Sequence, residues 1–483
     1  MKLQEVSTMV TGVSLTGYAT YVPAHRLDRG ELATALGAGS GRGQRVVASF
    51  DEDSTTMGVA AAAPVLRSAS AAPAALYFAT TSPVYADKTN ACAVHAALAL
   101  PGETFAADLA GSARSAIAGW RAAAATGGLL VLSDVRMGRP GSADERDGAD
   151  GAAAFLFGDP ADAIAEVIGE YSLSAEVLDR WRAPGDPRGS QWEERFGLEA
   201  YLPLAKRVAG EALSAAGLAT ADHLVVVSPN SAVRKKAGSI AAAIPLAEVP
   251  LGHAGAVDFG FGLAHALDIA RPGETILLLS VADGCDAVVL RTTPRLARGR
   301  QAVPLLAQCA GGVPVSYPTY LTWRGWLERE PPRRPEPDRP AGPPSARAAA
   351  WKFAFSGSVC RRCAFVHLPP ARVCKRCSAV DDMDRKPLNA STGTVATYTV
   401  DRLAFSPSPP LVEAVIDFDG GGRYTLEVAD AQPDQLAVGT AVGLTFRKLY
   451  EADGVHNYFW KARILEPGER AWEPPASLQG VTP

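Results

Sequence analysis

The sequence predicts a duplicated α/β unit followed by a small all-β module, and three observations carry that expectation. Short, continuously apolar runs suited to strands buried on both faces occur at residues 75–80 (ALYFAT) and 129–133 (LLVLS), and they recur at 224–228 (LVVVS) and 275–280 (TILLLS). At residues 328–349 the composition turns to Pro and charge (EREPPRRPEPDRPAGPPSARAA) without hydrophobic periodicity, which reads as an extended, semi-rigid linker. Beyond it come two CxxC pairs and five alternating strand-like runs. The expected organisation is a first α/β half over residues 1–165, a second over 166–318, a Pro-rich linker over 319–349, a cysteine module over 350–385, a barrel over 386–470 and a tail over 471–483.

Bulk properties bound the function. A chain of 483 residues has room for about three domains. Its net charge of −4, with 20% charged residues, supplies no basic field for nucleic acid or an anionic membrane. The N-terminal MKLQEVSTMV lacks the apolar core of a signal peptide, and no stretch approaches the roughly 18 consecutive apolar residues of a membrane span, so a cytoplasmic protein is expected.

Taken in order, residues 13–21 (VSLTGYATY) read as a strand, 29–36 as a short helix and 51–66 as a polar start leading into an Ala-rich helix. Residues 105–120 (FAADLAGSARSAIAGW) read as a buried strand over 104–109, a tight Gly-Ser turn and a second Ala-rich helix. Such an elbow holds its tip residue at a helix N-terminus, where free N–H groups and the macrodipole stabilise a thiolate or an oxyanion. The tip here is Ala113, flanked by Ser112 and Arg114. The run GAAAFLFG at 151–158 closes the first half, and 286–291 closes the second.

The cysteine module presents Cys360 and Cys363, ten intervening residues, then Cys374 and Cys377. Two CxxC turns joined by a short loop supply the tetrahedral thiolate set that Zn²⁺ prefers, and a closed four-Cys site has no open position, so the metal is expected to be structural. The five runs after Gly393 suggest a small Greek-key barrel of the oligonucleotide/oligosaccharide-binding (OB) shape. Asp417, Asp419, Glu427 and Asp430 on or near its strands argue against a nucleic-acid surface.

The elbow resembles that of thiolase-superfamily condensing enzymes, in particular type III ketoacyl synthases and 3-hydroxy-3-methylglutaryl-CoA synthases. Their D-x-x-x-x-C pattern, counted from Asp108, falls on Ala113. Gly17, Tyr21 and Pro23 match the opening pattern of the ketoacyl synthases, and Tyr85, Ala86, Lys88 and Ala91 match a synthase loop in which the resemblance places a general acid/base Glu at or beside Thr81. Arg195, Phe196, Glu199 and Tyr201 match a further synthase stretch. The family's His-Gln-x-Asn falls on Val227-Ser228-Pro229-Asn230, and its second catalytic turn on Gly252-His253-Ala254-Gly255. The cysteine module and barrel, with Pro369-Pro370 between the knuckles, resemble the acyl-CoA-associated zinc-ribbon/OB family.

The resemblance implies a five-layered α/β/α/β/α thiolase-like domain with a zinc ribbon and an OB-fold, acting on an acyl-CoA or acyl-carrier thioester in specialised metabolism. It also implies a homodimer or a heteromer with a thiolase-like subunit. His253 is the expected base or oxyanion donor, with a structural role in a Gly-rich turn as the alternative. Asn230 is the retained family position. Ser112 or Ser115 is either a replacement nucleophile or a helix cap, and Arg114 either contacts a CoA phosphate or is solvated. With no Cys at residue 113, the expected chemistry is carbon–carbon bond formation of the condensing-enzyme or acyltransferase kind by an altered route. The alternatives are an aldol or retro-aldol lyase acting on a β-hydroxyacyl-CoA, and a silent scaffold that serves a thiolase-like partner.

Overall fold

The computed structural model describes residues 13–37, 41–186, 188–330 and 342–465. Strand β1 (Ser14–Tyr21) lies at the middle of a nine-stranded sheet. The first half adds β2 (Ala75–Thr80), β3 (Phe105–Ala110), β4 (Leu129–Asp134) and β5 (Gly151–Gly158). The second half adds β6 (Ala165–Ser174), β7 (His223–Val227), β8 (Thr275–Ser280) and β9 (Gly284–Thr292). The order is β7-β8-β9-β6-β1-β5-β4-β2-β3.

Pairing shows the duplication directly. β1–β5 and β5–β4 are antiparallel and β4–β2 is parallel; β6–β9 and β9–β8 are antiparallel and β8–β7 is parallel. The two half-sheets meet through the single pair Leu15↔Ala165. Among the described residues only the first half carries a full fifth strand, its counterpart being an isolated bridge between Leu224 and Leu246.

Two helices fill the space between the half-sheets: Ser115–Thr126, which follows the elbow, and Val257–Ile269. Their side chains share one apolar cluster with both sheets, including Trp120, Leu132, Phe155, Phe259, Leu263, Leu278 and Val288. Close approach requires glycine. A Cβ on Gly260 would lie 2.5 Å from Ala153 of the first half, and one on Gly262 would lie 2.5 Å from Val225 of the second. The helices Ser54–Arg67 and Glu194–Ala215 cover the outer faces, completing five layers.

The cysteine module is a three-stranded ribbon, and the barrel strands Gly393–Asp401, Leu411–Phe418, Arg423–Glu427, Ala441–Ala452 and Val455–Ile464 form one five-stranded antiparallel sheet. The structure therefore has the five-layered thiolase-like fold joined to a ribbon and an OB-fold. Among the described residues no helix is long and apolar enough to cross a membrane.

Two expectations are corrected. The elbow strand β3 is not buried: among the described residues it is the edge of the sheet, and Phe105 is 58% exposed. The segment 319–349 is not extended throughout. Helix Tyr317–Trp323 runs into it, and its end belongs to helix Gly342–Lys352, whose Trp351 packs edge-on against Phe459 of the barrel. Residues 331–341 and the tail 471–483 lie outside the described residues.

The barrel is seated on the first half by buried charge. Arg447 reaches Asp51 (3.1 Å), Glu52 (3.1 Å) and Asp430 (2.6 Å), Lys461 bridges Asp51 (2.9 Å) and Glu427 (2.6 Å), and Tyr458 donates to Asp53 (2.8 Å). Burial pushes Glu52 up to about 7, whereas Lys461 and Arg447 hold Asp51 below the usual carboxylate range against burial. Arg447→Met strands these carboxylates without their cation and is expected to cost about 3–5 kcal/mol in denaturant unfolding. Glu52 is neutral when folded at pH values where the unfolded chain is ionised. Its contribution is therefore complete below about pH 4.5 and lost as pH rises through about 7. Glu52→Gln is expected to remove that slope from the pH–stability curve.

Candidate functional site

The N-termini of the two central helices converge at one place. Ala113, just ahead of Ser115–Thr126, borders a small pocket with Val227, Ser228 and Pro229 at the end of β7, Gly255 just before the second helix, Asp258 and Phe259 in its first turn, and Ser280 and Ala282 at the end of β8. The pocket holds about 10 Å³, at or below the space one water needs. The N–H groups of Ser112 and Ala113 have no acceptor among the described residues.

The sequence candidates divide. His253 Nδ1 lies 2.5 Å from Asp258 Oδ2, and Asp258 Oδ1 accepts from Ala254 N at 2.7 Å. The His253 backbone is clamped to the segment before β5, donating to Asp147 O (2.8 Å) and accepting from Ala149 N (3.0 Å). Burial pulls the imidazole down to about 4, and Arg136 and Arg180 outweigh part of the opposing pull of Asp258. The ring is neutral near pH 7, with Nδ1–H held by Asp258 and the Nε2 lone pair without a partner among the described residues. It adjoins the Ala113 pocket through Asp258 and does not itself line it.

Asn230 is spent on structure. Its Oδ1 accepts from Ala232 N and Val233 N at 3.0 and 3.1 Å, and its Nδ2 donates to Asp179 (3.1 Å) and Glu194 O (3.0 Å). Ser112 is exposed, and its Oγ accepts from Arg114 N at 3.3 Å, a turn-capping geometry with no base beside it. Arg114 is partly exposed but not free: it grips Asp286 (2.9 and 3.2 Å) and donates to Asp283 O (2.8 Å), tying the elbow to the second half. With Ser115, Ile117, Ala118, Arg121 and Asp286 it lines a separate surface cavity of about 380 Å³.

Behind the pocket lies a polar shelf that the sequence reasoning missed. Asp134 at the end of β4 accepts from Thr80 Oγ1, Thr81 N, Thr81 Oγ1, Ser82 Oγ and Ala256 N at 2.7–3.0 Å. Burial nevertheless holds its carboxyl above the usual range. Gly255 must lack a side chain here, at φ +67°, since a Cβ would lie 2.2 Å from Asp134 Oδ2. Arg136 donates to Thr81 Oγ1 at 2.9 Å, Arg182 donates to Thr81 O, and Arg180 is paired with Asp144 through bonds of 3.0 and 2.9 Å. The loop carrying Arg136 is fixed by Asp150, which accepts from Arg136 N (2.8 Å), Ala48 N (2.8 Å) and Arg324 (2.5 Å). Asp258 was legible in principle, as a carboxylate in the apolar run VDFGFGLAHAL that demands a partner. Arg182, on an irregular segment, gave no such signal.

The sulfur atoms of Cys360, Cys363, Cys374 and Cys377 all lie within 4.8 Å of one another, a set compatible with one tetrahedral metal ion.

Comparison with known proteins fits this geometry. The chain is 30% identical over 325 residues to the hydroxymethylglutaryl-CoA synthase of Methanopyrus kandleri, covering 92% of that protein and 61% of this one. The chain belongs to the hydroxymethylglutaryl-CoA synthase family. Membership places it among the condensing enzymes of the thiolase superfamily. The synthase of Archaeoglobus fulgidus is 29% identical over 339 residues, with 98% of it and 65% of this chain covered. A solved HMG-CoA synthase complexed with CoA shares the fold at a TM-score of 0.57 and 15% identity, covering 67% of this chain and 92% of that one. So does the 3-oxoacyl-(acyl carrier protein) synthase III of Pseudomonas aeruginosa, at 0.53 and 20%, covering 58% and 98%. Residues 387–447 match the family model described as ChsH2, C-terminal OB-fold domain.

The His253 ring is expected to remain neutral down to about pH 4 in an NMR titration, and Asp258→Asn to lower its midpoint further, since the carboxylate is what favours the charged ring. A wild-type midpoint at or above the ordinary 6.5 would contradict the site as described.

Proposed function

We propose that this protein forms or cleaves a carbon–carbon bond in an acyl-CoA or acyl-carrier thioester by aldol-type chemistry, without an acyl-enzyme at residue 113. The observation that supports this reading is the His253–Asp258 pair beside a pocket whose tip residue is Ala113. In the cleavage direction His253 Nε2 takes the β-hydroxyl proton of a β-hydroxyacyl thioester. The Cα–Cβ bond breaks, Cβ becomes a carbonyl carbon, and the electron pair passes into the thioester as an enolate. The unpaired N–H groups of Ser112 and Ala113, at the positive end of their helix, are the donors suited to the enolate oxygen. Proton return to Cα completes the step, and the reverse sequence is condensation.

A second reading rests on a specific observation. The closed pocket at Ala113, with Val227 where the resemblance places a catalytic His, suits a subunit that holds an acyl thioester for a thiolase-like partner. The two readings separate with the purified full chain and a panel of β-hydroxyacyl-CoA thioesters. Under the first, His253→Gln lowers kcat/KM about 10²–10⁴-fold while Ser112→Ala leaves it nearly unchanged. Under the second, the chain binds the thioesters and turns none over until the partner subunit is added.

We also assign Cys360, Cys363, Cys374 and Cys377 to a structural Zn²⁺, in a cytoplasmic setting where thiols stay reduced. A strong chelator is expected to unfold the ribbon, read as a low-temperature step in thermal unfolding, and to spare the nine-stranded unit. Loss of turnover with the ribbon still folded would contradict a structural role.

A further inference from the structure

The irregular loop from Thr81 to Asn90 joins β2 to the short helix Ala91–Ala97 and begins at the site, since a Cβ on the pocket residue Gly255 would lie 2.9 Å from Thr81 Oγ1. Asp134 holds its first end, accepting from Thr81 and Ser82. Asp108 on β3 holds its last end: Oδ2 accepts from Asn90 N (2.7 Å) and Asn90 Nδ2 (2.8 Å), and Oδ1 accepts from Ala91 N (2.7 Å). Between these ends, among the described residues, 83–89 make one hydrogen bond outside their own loop. That bond comes from the barrel. His456 N donates to Tyr85 Oη at 2.8 Å, and the two rings lie 5.9 Å apart.

The donor is held firmly. His456 follows a two-residue turn, Asp453 and Gly454 at φ +54° and +73°, which closes the hairpin of Ala441–Ala452 and Val455–Ile464 tightly. Its Nδ1 lies 2.9 Å from Asp53 Oδ2 and its Nε2 3.5 Å from Glu451. Asp53 also caps helix Ser54–Arg67, accepting from Thr56 N at 2.9 Å. The barrel is already seated by Arg447 and Lys461 on Asp51 and Glu52, so the bond to Tyr85 is not what anchors it. Its effect falls on the loop.

From Tyr85 a line of hydrogen bonds runs to the elbow. Tyr85 N donates to Asn90 Oδ1 (3.0 Å), and Asn90 Nδ2 donates back to Tyr85 O (2.9 Å) as well as to Asp108. Asp108 stands five residues before Ala113, and Gly111 N, between them, donates to Thr80 O at 3.2 Å. We propose that the barrel hairpin is a positioning element of the site: His456 holds Tyr85, and Tyr85 acts through Asn90 and Asp108 on the elbow that carries the Ser112 and Ala113 N–H groups. Tyr85 and Asn90 are positioning residues. The kinetic part of the test rests on the aldol reading above, and the exchange part does not.

Tyr85→Phe removes the hydroxyl and keeps the ring, and Asn90→Ala cuts the line one joint further on. Hydrogen exchange of the full chain, read by mass spectrometry in peptides covering 81–92, 105–114 and 441–464, reports on loop, elbow and barrel without turnover. Tyr85→Phe is expected to speed exchange about tenfold in the loop and elbow peptides, the scale of one lost hydrogen bond, and to leave the barrel peptides unchanged. Asn90→Ala is expected to speed the elbow at least as much, and adding Tyr85→Phe to it to change the elbow no further. With a β-hydroxyacyl-CoA, Tyr85→Phe is expected to lower kcat about tenfold with KM held, because the loss is one of positioning. Faster exchange confined to the loop, faster exchange spread into the barrel, or additive effects in the double variant each overturn the proposal. If the unaltered chain turns over no β-hydroxyacyl-CoA, the aldol reading falls, and the elbow's exchange still decides this one.

Discussion

The structure depends on a layer of two helices held between two half-sheets that share only one residue pair. Because Ser115–Thr126 and Val257–Ile269 enter that layer from the same end, their N-termini meet, bringing residues 112–113 of one half against 253–258 of the other. Burying one apolar cluster common to both sheets is what makes the convergence rigid. Gly260 and Gly262 show how little room the layer leaves, one under each half-sheet. Two helix N-termini aimed at one point supply a positive potential that needs no charged side chain, and it is consistent with a neutral imidazole and an ionised Asp258 side by side.

Within that frame, the residues have changed while the geometry stays. Where the resemblance places a nucleophilic Cys, a His and a Glu, this chain has Ala113, Val227 and Thr81. The pocket bordered by Ala113 and Val227 holds about 10 Å³, while charge gathers on the adjoining shelf of Asp134, Arg136, Arg180 and Arg182. The barrel is part of the same body. Arg447 and Lys461 are buried in the acidic turn at Asp51–Asp53, which also opens the helix packed over the outer face of the first half-sheet.

Much of this was legible in sequence because it rests on local chemistry. The apolar runs at β2, β4, β7 and β8 fold as strands since nothing but a doubly covered sheet can bury them, and the duplication follows from their spacing. The four cysteines converge as their spacing demands. The edge position of β3 was not legible, because FAADLA reads as buried unless the neighbour that is missing is known. Asn230 and Arg114 look equally functional and structural in one dimension. Their partners, Asp179 and Asp286, lie some 50 and 170 residues away in the chain, beyond the reach of a local reading. The same long separation hid Arg182 against Thr81.

The most direct test of the claim that this site works without an acyl-enzyme is intact-protein mass spectrometry of the full chain, taken while it consumes a β-hydroxyacyl-CoA thioester. The account predicts that substrate disappears while the protein mass stays unchanged at every time point. An acyl adduct that forms at the rate of turnover and maps to Ser112 or Ser115 would contradict it.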